Sequence, residues 1–277
     1  MSRVAIATSS AIEDPDAPTL LGALARHGVQ ADLVAWDAPI DWGDYDLVVI
    51  RSTWDYVGRR DAFLAWARSI DHLANPYGAI EYSSDKHYLA DLAARGHRVV
   101  ATEFCDVGVE PRFFDGDVVV KPAVGAGSGG AARYAEAERE AARRHVARLH
   151  QLGYDALIQP YVASVDTRGE RAVVVIDGAV THAMTKAAML NVEESVRTPQ
   201  FRRDQMSRAD LEPELRDYVE GLLADERLAG LLYARVDLVA TEAGWALMEL
   251  ELVEPNLFLT YDETATERLA RAIARAA

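Results

Sequence analysis

A single cysteine, Cys105, is the only thiol among 277 residues. That excludes a disulfide within the chain and fits a reducing compartment. With no evident partner to activate it, Cys105 is read as a packing residue. Long apolar runs are missing too. No stretch approaches the ~20 residues that span a bilayer, and Arg3-Val4-Ala5-Ile6-Ala7 opens a strand rather than the apolar core of a secretion signal. Basic residues are scarce: 29 Lys and Arg face 44 Asp and Glu, a formal net charge of -15. A field of that sign repels phosphate backbones and anionic lipid, so neither nucleic acid nor membrane is an expected partner, and the expected location is the cytoplasm. Any polyphosphate ligand must be held by a local site that reverses the global sign. Internal repeats and low-complexity segments are absent. What remains is an ordinary globular composition, 50% hydrophobic and 26% charged, with length for one large domain or two smaller ones.

The first third alternates short apolar runs with helical patterns. Val4–Thr8, Ala31–Trp36 and Leu47–Ile50 read as strands, with helices over Ala17–His27 and Arg60–Leu73. Strands alternating with helices predict an α/β, doubly wound parallel sheet. Ligands of such sheets gather at the carboxyl ends of strands. There Arg51-Ser52-Thr53-Trp54-Asp55-Tyr56 supplies a cation, hydroxyls, aromatic surface and a carboxylate, either as a structural loop packed around Trp54 or as a loop that contacts substrate.

A helix over Ser84–Arg95 and a strand at Val99–Thr102 follow. Then comes a compact α+β unit: strand Val118–Pro122, a glycine loop, strand Ala131–Tyr134, helix Glu136–Leu152 and strand Ala156–Val162. The remainder reads as antiparallel. Asp177-Gly178 between Arg171–Ile176 and Ala179–Thr185 is a hairpin signal, because a type I′ turn needs positive φ at both central positions. The polar stretch Asn191–Arg208 is expected to act as a lid that orders over substrate. A helix over Leu211–Arg227, strands Tyr233–Val239 and Trp245–Val253, and a helix from Thr264 to the end complete the chain.

Two features carry chemistry. Lys121 ends the β-branched run Val118–Val120 and precedes Gly125, Gly127, Ser128, Gly129 and Gly130. A lysine in an apolar strand costs desolvation unless an anion meets it, and glycine-loop amides can close over phosphate oxygens. The loop matches neither a Walker A motif nor a dinucleotide fingerprint. The second feature is acidic: Asp237 on one strand, Glu249 and Glu251 on the next. Period two puts Glu249 and Glu251 on one face, with Met248, Leu250 and Leu252 on an apolar opposite face. Two like charges on one side repel unless a cation bridges them, and hard oxygen ligands suit Mg²⁺. Lys86, Lys121, Arg171 and Lys186 add cations at separated points that a fold can bring together.

In that order, these residues resemble the ATP-grasp superfamily of carboxylate-amine ligases over almost the whole chain. The resemblance implies a small N-terminal α/β domain (1–82) and two α+β subdomains (83–165 and 166–277) that clasp ATP. It implies that Lys86, Val119, Lys121 and the loop residues Gly125, Gly127, Ser128 and Gly129 meet the nucleotide. Gln159-Pro160-Tyr161-Val162 then faces adenine, and Asp166 or Glu170 meets ribose. Arg171 and Lys186 become the catalytic cations, and Asp237, Glu249 and Glu251 hold magnesium, two ions, replaceable by manganese. The family's Glu-x-Asn pair reads Glu249-Leu250-Glu251 here, which leaves Glu251 or Asn256 to complete the metal site. Arg51, Ser52, Trp54, Asp55 and Asn256 are the expected substrate contacts.

Within the superfamily, Arg51–Tyr56, Lys121–Ser128 and Glu249–Leu252 are similar to the actinobacterial group that contains the O-ureido-serine cyclo-ligase of D-cycloserine formation. The implied reaction is activation of an amino-acid-like carboxylate as an acyl phosphate, then attack by nitrogen, within one molecule in the cyclising case. An intermolecular amino-acid ligase and a non-catalytic ATP-binding module are the alternatives. A homo-oligomer is left open.

Overall fold

A computed structural model of the chain describes residues 2–11, 13–127, 129–187 and 206–277. The first unit comprises β1 (Arg3–Thr8), α1 (Ala17–Arg26), β2 (Gln30–Ala35), β3 (Leu47–Ile50), α2 (Arg60–Arg68) and β4 (Leu73–Ala74). Its strands pair in parallel in the order β2-β1-β3-β4. A parallel sheet must be covered on both faces. Val4, Ile6 and Val49 pack with Leu20 and Leu24 of α1, while Ala5, Ala7, Val48 and Ile50 pack with Phe63 and Leu64 of α2. This is the doubly wound unit expected. The expected helix to Leu73 stops at Arg68 instead, because Leu73 and Ala74 pair with Val48 and Val49.

The second stretch contains α3 (Tyr77–Ser83), α4 (Tyr88–Ala94), β5 (Glu103–Cys105), β6 (Val118–Pro122), β7 (Ala132–Tyr134), α5 (Arg139–Gln151) and β8 (Ala156–Pro160). Strands β5-β8-β6-β7 form an antiparallel sheet. Ala142, Val146 and Leu149 share one face of α5 and pack on Val118, Val120, Ala156 and Ile158, where Cys105 is also buried. Val119, Lys121 and Gln159 alternate onto the other face, which lines the cleft described below. The helix expected from Ser84 begins only at Tyr88, because residues 84–87 form a turn in which the Lys86 N–H donates to the Ala123 carbonyl at 2.9 Å. The strand expected at 99–102 is also displaced. Arg98 and Val100 exchange hydrogen bonds with Leu247 before the chain crosses to β5.

The third stretch contains α6 (Val165–Arg168), β9 (Glu170–Ile176), β10 (Ala179–Lys186), β11 (Met206–Ala209), α7 (Pro213–Leu223), β12 (Tyr233–Thr241), β13 (Gly244–Glu251) and α8 (Glu263–Ala276). It forms an antiparallel sheet, β11-β10-β9-β12-β13. Asp177 and Gly178 have φ of 52° and 69°, as the hairpin requires. The lid expected over 191–208 lies outside the described residues as far as 205, and its last three residues are strand paired with β10.

One face of this sheet packs Val173, Val175, Leu247 and Leu250 on α7 and on Leu89 and Leu92 of α4. The other face is divided. Around Ile176 and Tyr233 it is covered by Leu269 and Ile273 of α8 and by the first unit. Around Glu170, Lys186 and Glu249 it stands across an open cleft from Val119, Lys121 and Gln159.

Candidate active site

The cleft holds about 880 Å³ of atom-free space and opens to solvent. Its apolar end is made by Val119, Pro160, Tyr161, Val162 and Met248. Met248 is there because of a bulge: Asp237 faces Glu249, but the next residue, Leu238, faces Leu247, so Met248 is an extra residue on β13. Strict alternation put Met248 on the apolar core face with Leu250 and Leu252, and the bulge turns it into the cleft instead. The Gln159 side chain donates to the Thr102 hydroxyl at 2.9 Å, while its buried amide oxygen has no partner among the described residues. A buried acceptor beside an apolar slot suits a flat ligand that carries an N–H donor.

The polar end is a lattice of ion pairs. Lys86 donates to the Gly125 carbonyl at 2.9 Å and pairs with Glu249 at 3.0 Å. Lys186 pairs with Asp237 at 2.7 Å and Glu170 at 2.8 Å. Arg235 bonds Asp237 through Nε at 2.9 Å and also pairs with Glu251. Burial disfavours the charged forms of Lys186, Arg235, Asp237, Glu249 and Glu251, and their ion pairs oppose it. Arg235 and Lys186 outweigh burial and hold Asp237 down to about 2. Lys86 and Lys121 likewise keep Glu249 below the usual carboxylate range. For Glu251 burial wins over Arg235, with Asp237 and Glu249 reinforcing it, and the carboxyl rises to about 7. Burial also lowers the Lys121 ammonium, and no salt bridge offsets it among the described residues.

Asp237, Glu249 and Glu251 present carboxylate oxygens all within 4.8 Å of one another. Hard oxygen donors at that spacing fit a magnesium ion. Asn256 Oδ1 accepts from the Phe258 N–H at 2.8 Å, and its buried Nδ2 has no partner among the described residues.

Of the nucleotide residues expected, Lys86, Val119, Lys121, Gly125, Gly129, Gln159, Pro160, Tyr161, Val162 and Glu170 all line the cleft. Gly127 is exposed beyond the lining, and Ser128 lies outside the described residues. Asp166 is not brought in: its exposed carboxylate accepts from the Tyr161 hydroxyl and pairs with Arg133 at 3.4 Å. Arg171 is a correction. It alternates onto the opposite face of β9 from Glu170, bonds the Arg168 carbonyl and lies 5.8 Å from the Trp245 ring. Asp55 is another, because Trp36 and Arg59 hold its carboxylate at 3.2 and 2.6 Å.

Arg51 is 1% exposed and Trp54 is partly buried; both serve as joints to the chain after β13, donating to the carbonyls of Pro255 at 2.9 Å and Glu254 at 3.0 Å. Ser52 is buried, and its hydroxyl has no partner among the described residues. Sequence reasoning missed Arg235 and Met248. Arg235 was findable, since it stands two residues before Asp237 on the same face of β12.

Two sheets that clamp a cleft, with lysines on one wall and lysine, arginine and carboxylates on the other, define an ATP-grasp ligase, an ATP-dependent enzyme that forms C–N bonds. The D-alanine–D-alanine ligase of Bacillus anthracis, solved in complex with ATP, shares the fold: TM-score 0.68 at 14% identity, over 100% of this chain and 97% of that one. Residues 4–75 match the family described as the N-terminal domain of the D-cycloserine synthetase DcsG. The crystal structure of D-cycloserine synthetase DcsG superposes with a TM-score of 0.90 at 33% identity, covering 99% of this chain and 100% of that one. The cycloserine biosynthesis protein DcsG of Streptomyces lavendulae is 36% identical over 284 residues, 94% of this chain and 93% of its own length. The chain belongs to the DcsG family of ATP-grasp ligases.

Proposed function

We propose that this enzyme activates the carboxylate of O-ureido-D-serine with ATP and closes the C–N bond within the same molecule, giving D-cycloserine with hydrolytic loss of the carbamoyl group. Likeness to DcsG over 94% of the chain supports the substrate. The single observation that carries the chemistry is the charge lattice. Lys86, Lys121, Lys186 and Arg235 face Glu170, Asp237, Glu249 and Glu251, so the cations needed by phosphate and the carboxylates needed by metal neutralise one another beforehand.

The adenine lies between Val119, Tyr161, Val162 and Met248, with its amino group on the free Gln159 oxygen, and Glu170 meets ribose. Lys86 and Lys121 hold the inner phosphates, with Gly125 and Gly129 of the glycine loop beside them. Asp237, Glu249 and Glu251 hold magnesium, two ions, which supplies charge neutralisation on the transferred phosphoryl group. Lys186 and Arg235 stabilise the charge that builds as the substrate carboxylate attacks the γ-phosphate. Nitrogen of the same molecule then displaces phosphate. Holding both ends of one substrate converts a bimolecular step into a unimolecular one, worth ~7–11 kcal/mol. The substrate lies toward Ser52 and Asn256, whose buried donors lack partners among the described residues. The N-terminal unit (1–82) supplies that wall, and the 83–165 and 166–277 units supply the ATP clamp of a cytoplasmic enzyme.

A panel of amino-acid-like carboxylates is the test. O-ureido-D-serine alone is expected to stimulate release of ADP and phosphate and to yield a hydroxamate when hydroxylamine is present. Stimulation by no carboxylate sinks the ligase reading, and a requirement for a second amine sinks cyclisation.

A further inference from the structure

Gln159 is the polar side chain at the apolar end of the cleft, and the edge of its amide that meets a ligand is set from behind. It stands on β8 opposite Val119 of β6, is 1% exposed and lines the cleft. Its Nε2 donates to the Thr102 hydroxyl at 2.9 Å, and that hydroxyl donates in turn to the Val100 carbonyl at 2.8 Å. A threonine hydroxyl has one proton to give. With that proton on Val100, Thr102 is left as an acceptor, so the NH₂ edge of Gln159 faces it and the amide oxygen is the edge without a partner among the described residues. Val100 is fixed as well: it is 4% exposed, and its N–H donates to the Leu247 carbonyl at 2.9 Å. Leu247 precedes Met248, the bulged residue that lines the facing wall. The relay of hydrogen bonds thus runs from β13 through Val100 and Thr102 to Gln159, and ties the two walls of the apolar slot together.

An amide oxygen in that slot accepts from an N–H and repels another oxygen. A 6-aminopurine supplies the N–H, whereas a 6-oxopurine sets oxygen against oxygen and leaves both unpaired in a buried place. A carboxamide held by nothing escapes the conflict by turning over, since its two edges have nearly the same shape. Resting on the nucleotide reading proposed above, we infer that Thr102 is the positioning residue for base selection: by holding the Gln159 amide in one orientation, it fits the cleft to 6-aminopurine nucleotides and shuts out 6-oxopurine nucleotides. Turning the amide over sets its oxygen against the Thr102 oxygen or draws the Thr102 proton off the Val100 carbonyl, and either outcome leaves a buried polar group unpaired.

The experiment measures dissociation constants by calorimetry on the full-length enzyme for the magnesium complexes of three nucleotides: ATP, purine riboside triphosphate, which carries only hydrogen at position 6, and ITP, which carries oxygen there. The parent is expected to bind them in that order, with ATP about 100-fold ahead of ITP. Thr102→Val keeps the shape and removes the hydroxyl. It is expected to reduce the ATP-to-ITP ratio ~10-fold, chiefly through a gain for ITP, because the amide is then free to turn. Thr102→Ser, which keeps the hydroxyl, is expected to keep most of the ratio. In a Gln159→Leu background, adding Thr102→Val is expected to leave the ratio where it stands. ITP also differs from ATP at ring N1, but that difference is common to parent and variants and cancels when their ratios are compared. An unchanged ratio in Thr102→Val overturns the positioning role, and so does an equal loss of affinity for all three nucleotides, which is what a purely structural defect produces. A change in ratio as large without the Gln159 amide as with it overturns it too. No amino-acid substrate is present, so the outcome is independent of which carboxylate the enzyme activates. A parent that binds none of the three refutes the nucleotide reading itself, and the role of Thr102 falls with it.

Discussion

At the scale of single residues, the position of a guanidinium on a strand decides whether it reaches the reaction. Arg171 and Arg235 sit on adjacent paired strands, yet Arg171 lies against Trp245 while Arg235 bonds Asp237 and Glu251. Arg171→Ala is therefore expected to leave steady-state turnover within about threefold, as for a partly exposed side chain outside the site. Arg235→Met strips Glu251 of its only ion-pair partner among the described residues, and Asp237 of one of two there. A buried charge left without its partner costs ~3–5 kcal/mol, so this variant is expected to lose stability in chemical denaturation as well as turnover. Equal activity losses in the two would refute the assignment of faces.

Lys121 is the other informative position, a cleft-lining ammonium without a salt bridge among the described residues. A charge-assisted bond to phosphate is worth ~1.5–3 kcal/mol, so Lys121→Met should weaken ATP roughly 10- to 150-fold by calorimetry, with the fold intact. These residues were legible in sequence because each violates its surroundings: a lysine or carboxylate in an apolar strand needs a reason. Arg171 misled because order along the chain does not say which face a residue takes.

Elements were legible where periodicity and turn chemistry agreed. The Asp177-Gly178 hairpin, the helix now at Arg139–Gln151 and the parallel β1–β3 core follow from local signals that the tertiary structure keeps. Departures arose where a distant partner set the outcome. Leu73 leaves a helical pattern to pair with β3, Arg98–Val100 follows the edge of β13, and the bulge at Met248 adds one residue that no alternation count reveals.

Gly169, between α6 and β9, shows how closely two elements meet beside the site. Its φ is +65°, and a Cβ there would stand 2.5 Å from the Lys186 carbonyl and 2.7 Å from a Thr185 methyl. Gly169→Ala therefore adds backbone strain of ~1–3 kcal/mol and displaces the strand that carries Lys186. Its melting temperature and its turnover are expected to fall together. A variant with lowered stability and unchanged turnover would show that β10 holds Lys186 independently of this contact.

Over the whole molecule, a net charge of -15 is compatible with the proposed nucleotide site because that site is locally balanced, four cations against four carboxylates among the described residues. ATP alone would take the cations and strand the carboxylates, whereas the magnesium complex satisfies both at once. Binding in that form therefore exchanges one neutral network for another without leaving a buried charge unpaired. The wall that carries Lys186, Arg235 and the carboxylates is also bolted to the N-terminal unit. The Tyr233 hydroxyl bonds the Ile50 and Val253 carbonyls, and Asn75 bridges Leu232 and Leu252. Occupancy of the cleft should consequently stabilise the chain as a whole. At a hundred times the dissociation constant, linkage gives about 2.7 kcal/mol, or roughly 5–10 °C in melting temperature for a chain of this size. Lys121→Met is expected to lose most of that shift at the same nucleotide concentration. ATP with a chelator is expected to give little, because Asp237, Glu249 and Glu251 would then face phosphate with their cations withdrawn. A shift as large without the metal as with it would mean that the three carboxylates are held by Lys86, Lys186 and Arg235 throughout, and that the acidic group is a structural lattice rather than half of the nucleotide site.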